Sequence, residues 1–161
     1  SMKQTPQEKK MQTHFGPGRI SKDGFLGEDS RHIHDIIQED QRILSSLGWT
    51  SERIADRLQF FIDEGKKGLE GKVSVGKCIV CVRWDRGMVP CPFNEPGLHP
   101  KIVATVFSPA QKREIRYSQL SVHLIRRHSF FGGKGSVFRL EPKTVLEITD
   151  IRFESNERKS G

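Results

Sequence analysis

The apolar residues change their period once, near residue 70, and that change limits what the chain can build. Before it they recur every three or four positions: Ile33, Ile36, Ile37, Ile43, Leu44 and Leu47, then Ile54, Ala55, Leu58, Phe61 and Ile62. This spacing predicts two amphipathic helices. Asp29 or Ser30 is placed to cap the first and Gly48 to end it; Thr50 or Ser51 caps the second, with Gly65 as its stop. The short link between them implies an antiparallel or angled pair. From Lys72 the run KVSVGKCIVCVRW is β-branched and nearly continuous, which predicts a strand buried on both faces with a bulge at Gly76. Asp85-Arg86-Gly87 reads as a turn, and Met88–Phe93 as a return strand that Pro90 and Pro92 confine to an edge. Residues 101–107 and Arg113–Tyr117 complete the strand pattern.

The segment from Arg113 to Pro142 is the best punctuated part of the chain. Ser118 offers a hydroxyl to the orphan amides of a helix start. Leu120 and Leu124 follow at helical spacing, with Val122 and Ile125 widening the stripe. Arg126, Arg127 and His128 crowd the last turn, where the helix dipole favours positive charge. Gly132 and Gly133 are then expected to stop the helix. Ser136–Leu140 reads as a last core strand. Residues 143–153 carry mixed signals, since Pro142 suits a first helical turn while Thr144, Val145, Ile148, Thr149 and Ile151 favour a strand. The fold class is α+β: an N-terminal helical pair packed on a mostly antiparallel sheet, with one further capped helix near residues 118–131.

Residues 1–28 have few apolar positions and no period, so they are expected to form a flexible tail from which Phe25-Leu26 docks as an anchoring turn. Residues 29–153 are expected to form one domain and residues 154–161 a frayed end. No apolar run approaches the roughly 20 residues that span a bilayer. Three cysteines are too few for a disulfide framework, and the expected compartment is the cytoplasm. Of the net charge of +7, residues 71–140 hold twelve basic and three acidic side chains, a local +9, while residues 29–70 are acidic by three. Such asymmetry points to an anionic partner or to internal neutralisation.

Residues 48–58, GWTSERIADRL, resemble the first helix of a helix-turn-helix. That resemblance implies a recognition helix next, and the residues that follow are GKKGLEGKVSVG. The metal-ligating residue types are Cys78, Cys81, Cys91 and His99, spaced C-x2-C-x9-C-x7-H, with His123 and His128 further on. Residues three apart on a strand face opposite sides of the sheet, so Cys78 and Cys81 are not expected to share a metal. His123 and His128 are separated by about 140° of helix rotation and are expected to diverge. The expectation is therefore no cofactor, with zinc on some of these six residues as the alternative. No G-x-S-x-G, H-E-x-x-H or Walker pattern is present. Gly132–Ser136 lacks the lysine placement of a P-loop.

Three functions remain open. The first is a binding module for an anionic partner, nucleic acid foremost, through Lys112, Arg113, Arg116, Arg126, Arg127, Lys134 and Arg139, with Tyr117, Phe130 and Phe131 interleaved. The second is a protein-interaction or assembly subunit, including a homo-oligomer. The third is a small metal- or thiol-dependent enzyme using Cys91 with His99 or His123. No membrane partner is expected.

Overall fold

The computed structural model describes residues 24–149. Within them the chain runs α1 (Ile33–Ser46), α2 (Ser51–Lys66), β1 (Lys72–Val75), β2 (Cys78–Pro90), β3 (Leu98–Ser108), β4 (Arg113–Ser118), α3 (Gln119–His128) and α4 (Pro142–Thr149). The four strands form one antiparallel sheet in the order β1-β2-β3-β4, each pairing with the next in sequence. The fold is α+β, as the change of period implies. The expected tail before residue 24, Ile151, and the frayed end at 154–161 lie outside the described residues. No helix among the described residues is long and apolar enough to cross a membrane.

Strand alternation sorts the sheet into two unlike faces. Val75, Cys78, Val80, Val82, Ile102, Ala104, Val106, Ile115 and Tyr117 are all buried and form one core with Ile54, Ala55, Leu58, Phe61 and Ile62 of α2, Val122 and Ile125 of α3, and Val145 and Ile148 of α4. The Tyr117 hydroxyl donates to the Leu58 carbonyl at 2.7 Å, which fastens β4 to α2 and satisfies a fully buried polar group. A second, smaller core gathers Phe25, Leu26, Ile33, Ile36, Cys91, Leu120, Leu124 and Phe130. Phe25 and Leu26 dock there, as their isolated apolar pair suggested.

Several local readings are revised. Residues 72–84 are not one strand: Val75 pairs with Cys78 across Gly76-Lys77, and Gly76 takes φ +58, suiting the first position of a tight hairpin turn. Asp85-Arg86-Gly87 does not end a strand. It is a bulge, in which the register steps from Asp85 opposite Lys101 to Met88 opposite Pro100, and Gly87 at φ +96 absorbs the extra residues. Ser136–Leu140 is a loop, closed by the Arg139 amide donating to the Ser136 carbonyl at 3.1 Å. The ambiguous segment after Glu141 is helical, with Pro142, Val145, Ile148 and Thr149 buried.

Helix ends follow capping chemistry with three changes of residue, the first being that Gly65 does not stop α2 but lies inside it, the cap falling at Lys67. Thr50 accepts from the Arg53 amide at 3.2 Å, and Ser118 accepts from the Ser121 amide at 3.0 Å while the Ser121 hydroxyl accepts from the Ser118 amide, a reciprocal cap. At α1 the cap is His32, whose Nδ1 accepts from the His34 amide at 3.1 Å. Asp29 is engaged instead by Arg31 and by the Lys134 amide. Helix α3 stops at Ser129 in the left-handed conformation, φ 53, and not at Gly132-Gly133.

Candidate metal centre and basic surfaces

The end of α3 and the connection between β2 and β3 meet at a small group of ligating side chains. The reciprocal cap at Ser118 sets where α3 begins, and Leu120, Val122, Leu124 and Ile125 bury one side of it. His123 and His128 project from that helix toward Cys91 and Glu95, which follow the last residue of β2. One ligating atom each from Cys91, Glu95, His123 and His128 lies within 4.8 Å of all the others, and this is the one such group of three or more found among the described residues. Glu95 Oε1 is 2.7 Å from His128 Nε2, Glu95 Oε2 is 3.2 Å from His123 Nε2, and Cys91 Sγ is 3.9 Å from His128 Nε2. The expected divergence of the two histidines does not occur. His128 is the last residue of α3, and both imidazoles reach the same carboxylate, with ring centroids 5.8 Å apart.

The surroundings are mixed, with apolar residues on the Cys91 side and the Arg127 guanidinium 4.0 Å from Glu95 Oε2. Cys91 is buried within the second core, and the Phe93 ring stacks on His128 at 3.9 Å with 14° between the planes. Burial pushes the His123 and His128 imidazoles below their ordinary range, and His99 beside His123 adds to the effect there. Burial pushes the Cys91 thiol up. Neutral imidazoles keep a lone pair for a ligand, whereas a buried, protonated thiol is the opposite of what a nucleophile needs. Although His123 Nε2 is close to Glu95, it is buried and makes no hydrogen bond of acceptable direction. His99 stands beside the group, its ring centroid 4.3 Å from that of His123.

The remaining ligand candidates lie elsewhere. Cys78 is on the core face of β2, where its thiol donates to the Ile148 carbonyl at 3.3 Å. Cys81 is on the opposite face, with its thiol 3.4 Å from the Glu70 carbonyl. Strand geometry separates this pair, as its spacing implied. Glu95 was not recognisable as a candidate by residue type alone. Its signal is positional: Cys91-x3-Glu95 followed by His123-x4-His128 copies the two-plus-two spacing of zinc-finger ligands, with a carboxylate in place of the second thiolate.

The seven basic residues do not share one face. Arg139 is largely buried and forms a two-pronged ion pair with Asp40 at 2.6 and 2.9 Å, as well as a bond to Glu141. Arg126 is bonded to Asp56, and Arg113 to Glu147 and Gln111. Arg127 and Lys134 are exposed on the helical layer, while Lys112 lies at the turn between β3 and β4. Tyr117, Phe130 and Phe131 are core residues. Arg116 stands on the opposite face of the sheet.

That opposite face carries its own pattern. Lys72, Cys81, Thr105 and Arg116 form one cross-strand row, and Arg83, Val103 and Ser118 the next. On the far side of the first row run Ser74, Ile79, Phe107 and Glu114, and Asp85 sits opposite Lys101 beyond the second. Lys72, Arg83, Lys101 and Arg116 are exposed, whereas Ile79, Cys81, Val103, Thr105 and Phe107 are half-buried. Four cations, one from each strand region, thus surround a partly apolar floor, against Asp85 and Glu114. Lys72, Arg83 and Lys101 are individually unremarkable in sequence, and only the strand register reveals that they share a face.

The fold and the two features together define an α+β domain with helices on one side of an antiparallel meander, a mixed ligand group at one end and an open basic face. Comparison with family models, with curated proteins and with solved structures gives no match to this chain.

Proposed function

We propose that the protein is a nucleic-acid-binding module and that the open face of its sheet takes a single strand. The observation carrying this reading is the placement of Lys72, Arg83, Lys101 and Arg116 around Ile79, Val103 and Phe107 on the face opposite the helices. An antiparallel sheet spaces neighbouring strands by about 4.8 Å, so the row from Lys72 to Arg116 extends across roughly 14 Å. That width suits a strand laid over the sheet, with cations meeting phosphates and Phe107 offering a ring to an unstacked base. A single strand fits better than a duplex because a flat sheet face does not enter a groove as a helix does. The local charge excess of residues 71–140 supports an anionic partner, although five of its arginines, Arg83 with Asp85 at 3.6 Å among them, take part in ion pairs within the domain.

Binding titrations with labelled single-stranded oligonucleotides at two salt concentrations test the reading. Four phosphate contacts correspond to a log–log salt slope of about −2.8 for a single strand. Replacing Lys72, Arg83 and Arg116 together with alanine should flatten that slope and weaken binding to unrelated sequences alike. Absence of binding at low salt by folded protein, or tighter binding to an acidic peptide than to any oligonucleotide, would overturn it.

A further inference from the structure

The group formed by Cys91, Glu95, His123 and His128 plays no part in the nucleic-acid reading and asks for a separate explanation. Two half-buried imidazoles, a buried thiol and a half-buried carboxylate converge on one point, an arrangement that is costly unless something satisfies it. The buried Nε2 of His123 lacks a hydrogen bond, although a carboxylate is 3.2 Å away. One cation between that nitrogen and the carboxylate oxygen would satisfy both.

Size agrees with this. Zinc binds thiolate sulfur at about 2.3 Å and imidazole nitrogen or carboxylate oxygen at about 2.0–2.2 Å. Tetrahedral geometry then sets ligand-to-ligand edges of roughly 3.3–3.6 Å. The distances here are 3.2 Å from His123 Nε2 to Glu95 Oε2, 2.7 Å from His128 Nε2 to the other oxygen, Oε1, and 3.9 Å from Cys91 Sγ to His128 Nε2. One ligating atom from each residue lies within 4.8 Å of the others, so an ion would draw the group inward to reach such edges.

We infer that Cys91, Glu95, His123 and His128 bind one zinc ion as a closed, four-ligand structural site. The ion ties the connection between β2 and β3 to the last turn of α3. Sulfur with two imidazoles selects zinc over the oxygen-preferring magnesium and calcium. With every position taken by protein, the site stabilises the fold and holds no substrate. Phe93, stacked on His128, shields one side. His99 contacts His123 from outside the ligand set and acts as a positioning residue.

Cobalt(II) substitution tests this directly on the full chain. Protein stripped with a chelator and titrated with cobalt should show one equivalent bound, a sulfur-to-metal charge-transfer band and the intense visible bands of tetrahedral coordination. Zinc should displace the cobalt stoichiometrically. Cys91→Ser should abolish the charge-transfer band, and Glu95→Ala or His128→Ala should weaken binding by more than about 100-fold, beyond the 10–100-fold that loss of an outer-shell partner costs. His99→Ala should remain within that outer-shell range. Cys81→Ser, on the other face of the sheet, should leave the spectrum unchanged. Because a ligand variant can fail to fold, thermal unfolding of the wild-type chain provides a second readout, and its midpoint should rise on adding zinc but not magnesium. Octahedral cobalt bands, a charge-transfer band surviving Cys91→Ser, or no zinc effect on the midpoint would each overturn the proposal.

Discussion

Gly65 tests how closely α2 lies on the sheet. Glycine inside an exposed helix costs about 1 kcal/mol relative to alanine, so Gly65→Ala would stabilise α2 if nothing lay against it. Here a Cβ would come within 2.5 Å of Val82 Cγ2 and 2.8 Å of Val80 Cγ1. Carbon atoms pack best at about 3.5–4.0 Å, and both valines are β-branched, fully buried and on an interior strand. Overpacking costs about 1–3 kcal/mol, and two rigid contacts place this site near the upper end. Setting the helical gain against that leaves a net loss of about 1–2 kcal/mol. With a urea slope of roughly 2 kcal/mol per molar, the unfolding midpoint should fall by about 0.5–1 M. Val82→Ala removes the nearer methyl, so the double variant should be less destabilised than the two single changes added together. A midpoint raised by Gly65→Ala would refute the close approach of α2 to β2.

Other consequences can be measured in the same way. Leu124 is 1% exposed in the second core, so Leu124→Ala should cost about 2–5 kcal/mol; an unchanged midpoint would mean that the buried side of α3 is wrongly assigned. Arg139→Met should cost about 3–5 kcal/mol because it strands Asp40, whose side chain is 2% exposed, and Asp40→Leu added to it should restore much of the loss. Asp29 is held well below the usual carboxylate range, chiefly by the hydrogen bond from the Arg31 guanidinium, and the Arg139 guanidinium likewise lowers Glu141. Both depressed values add stability that is complete above the unfolded carboxylate range near pH 4 and is lost as pH falls toward the folded values. Unfolding midpoints should therefore drop on acidification, and Asp29→Asn should flatten that acid limb.

Legibility in the sequence varied with how local the determining physics is. The helical stripes of α1 and α2, the Thr50 and Ser118 caps and the separation of Cys78 from Cys81 depend on neighbours a few residues away, and all were readable. The hairpin at Gly76 and the bulge at Gly87 were not, because each glycine is compatible with several turns until a partner strand fixes the register. The apparent two-sided burial of residues 72–84 had a similar cause. Ile79 and Cys81 are apolar yet face outward, which hid the alternation. At the candidate sites the missing information was three-dimensional. Glu95 joins His123 and His128 only through tertiary packing, and Lys72 joins Arg116 only through three successive strand pairings. Arg139 looked like one of a basic cluster, and Asp40, ninety-nine residues earlier, takes it into the interior.

Mapping of contacts by amide chemical shifts, during titration with a single-stranded oligonucleotide, addresses the proposed function most directly. Binding on the open face should move the amides of Lys72, Cys81, Arg83, Thr105, Phe107 and Arg116 in a salt-dependent manner. Those of Leu58, Ile62 and Leu124, buried on the helical side, should stay in place. Shifts confined to α3 and the residues that follow it, or no shifts at low salt, would contradict a nucleic-acid surface on the sheet.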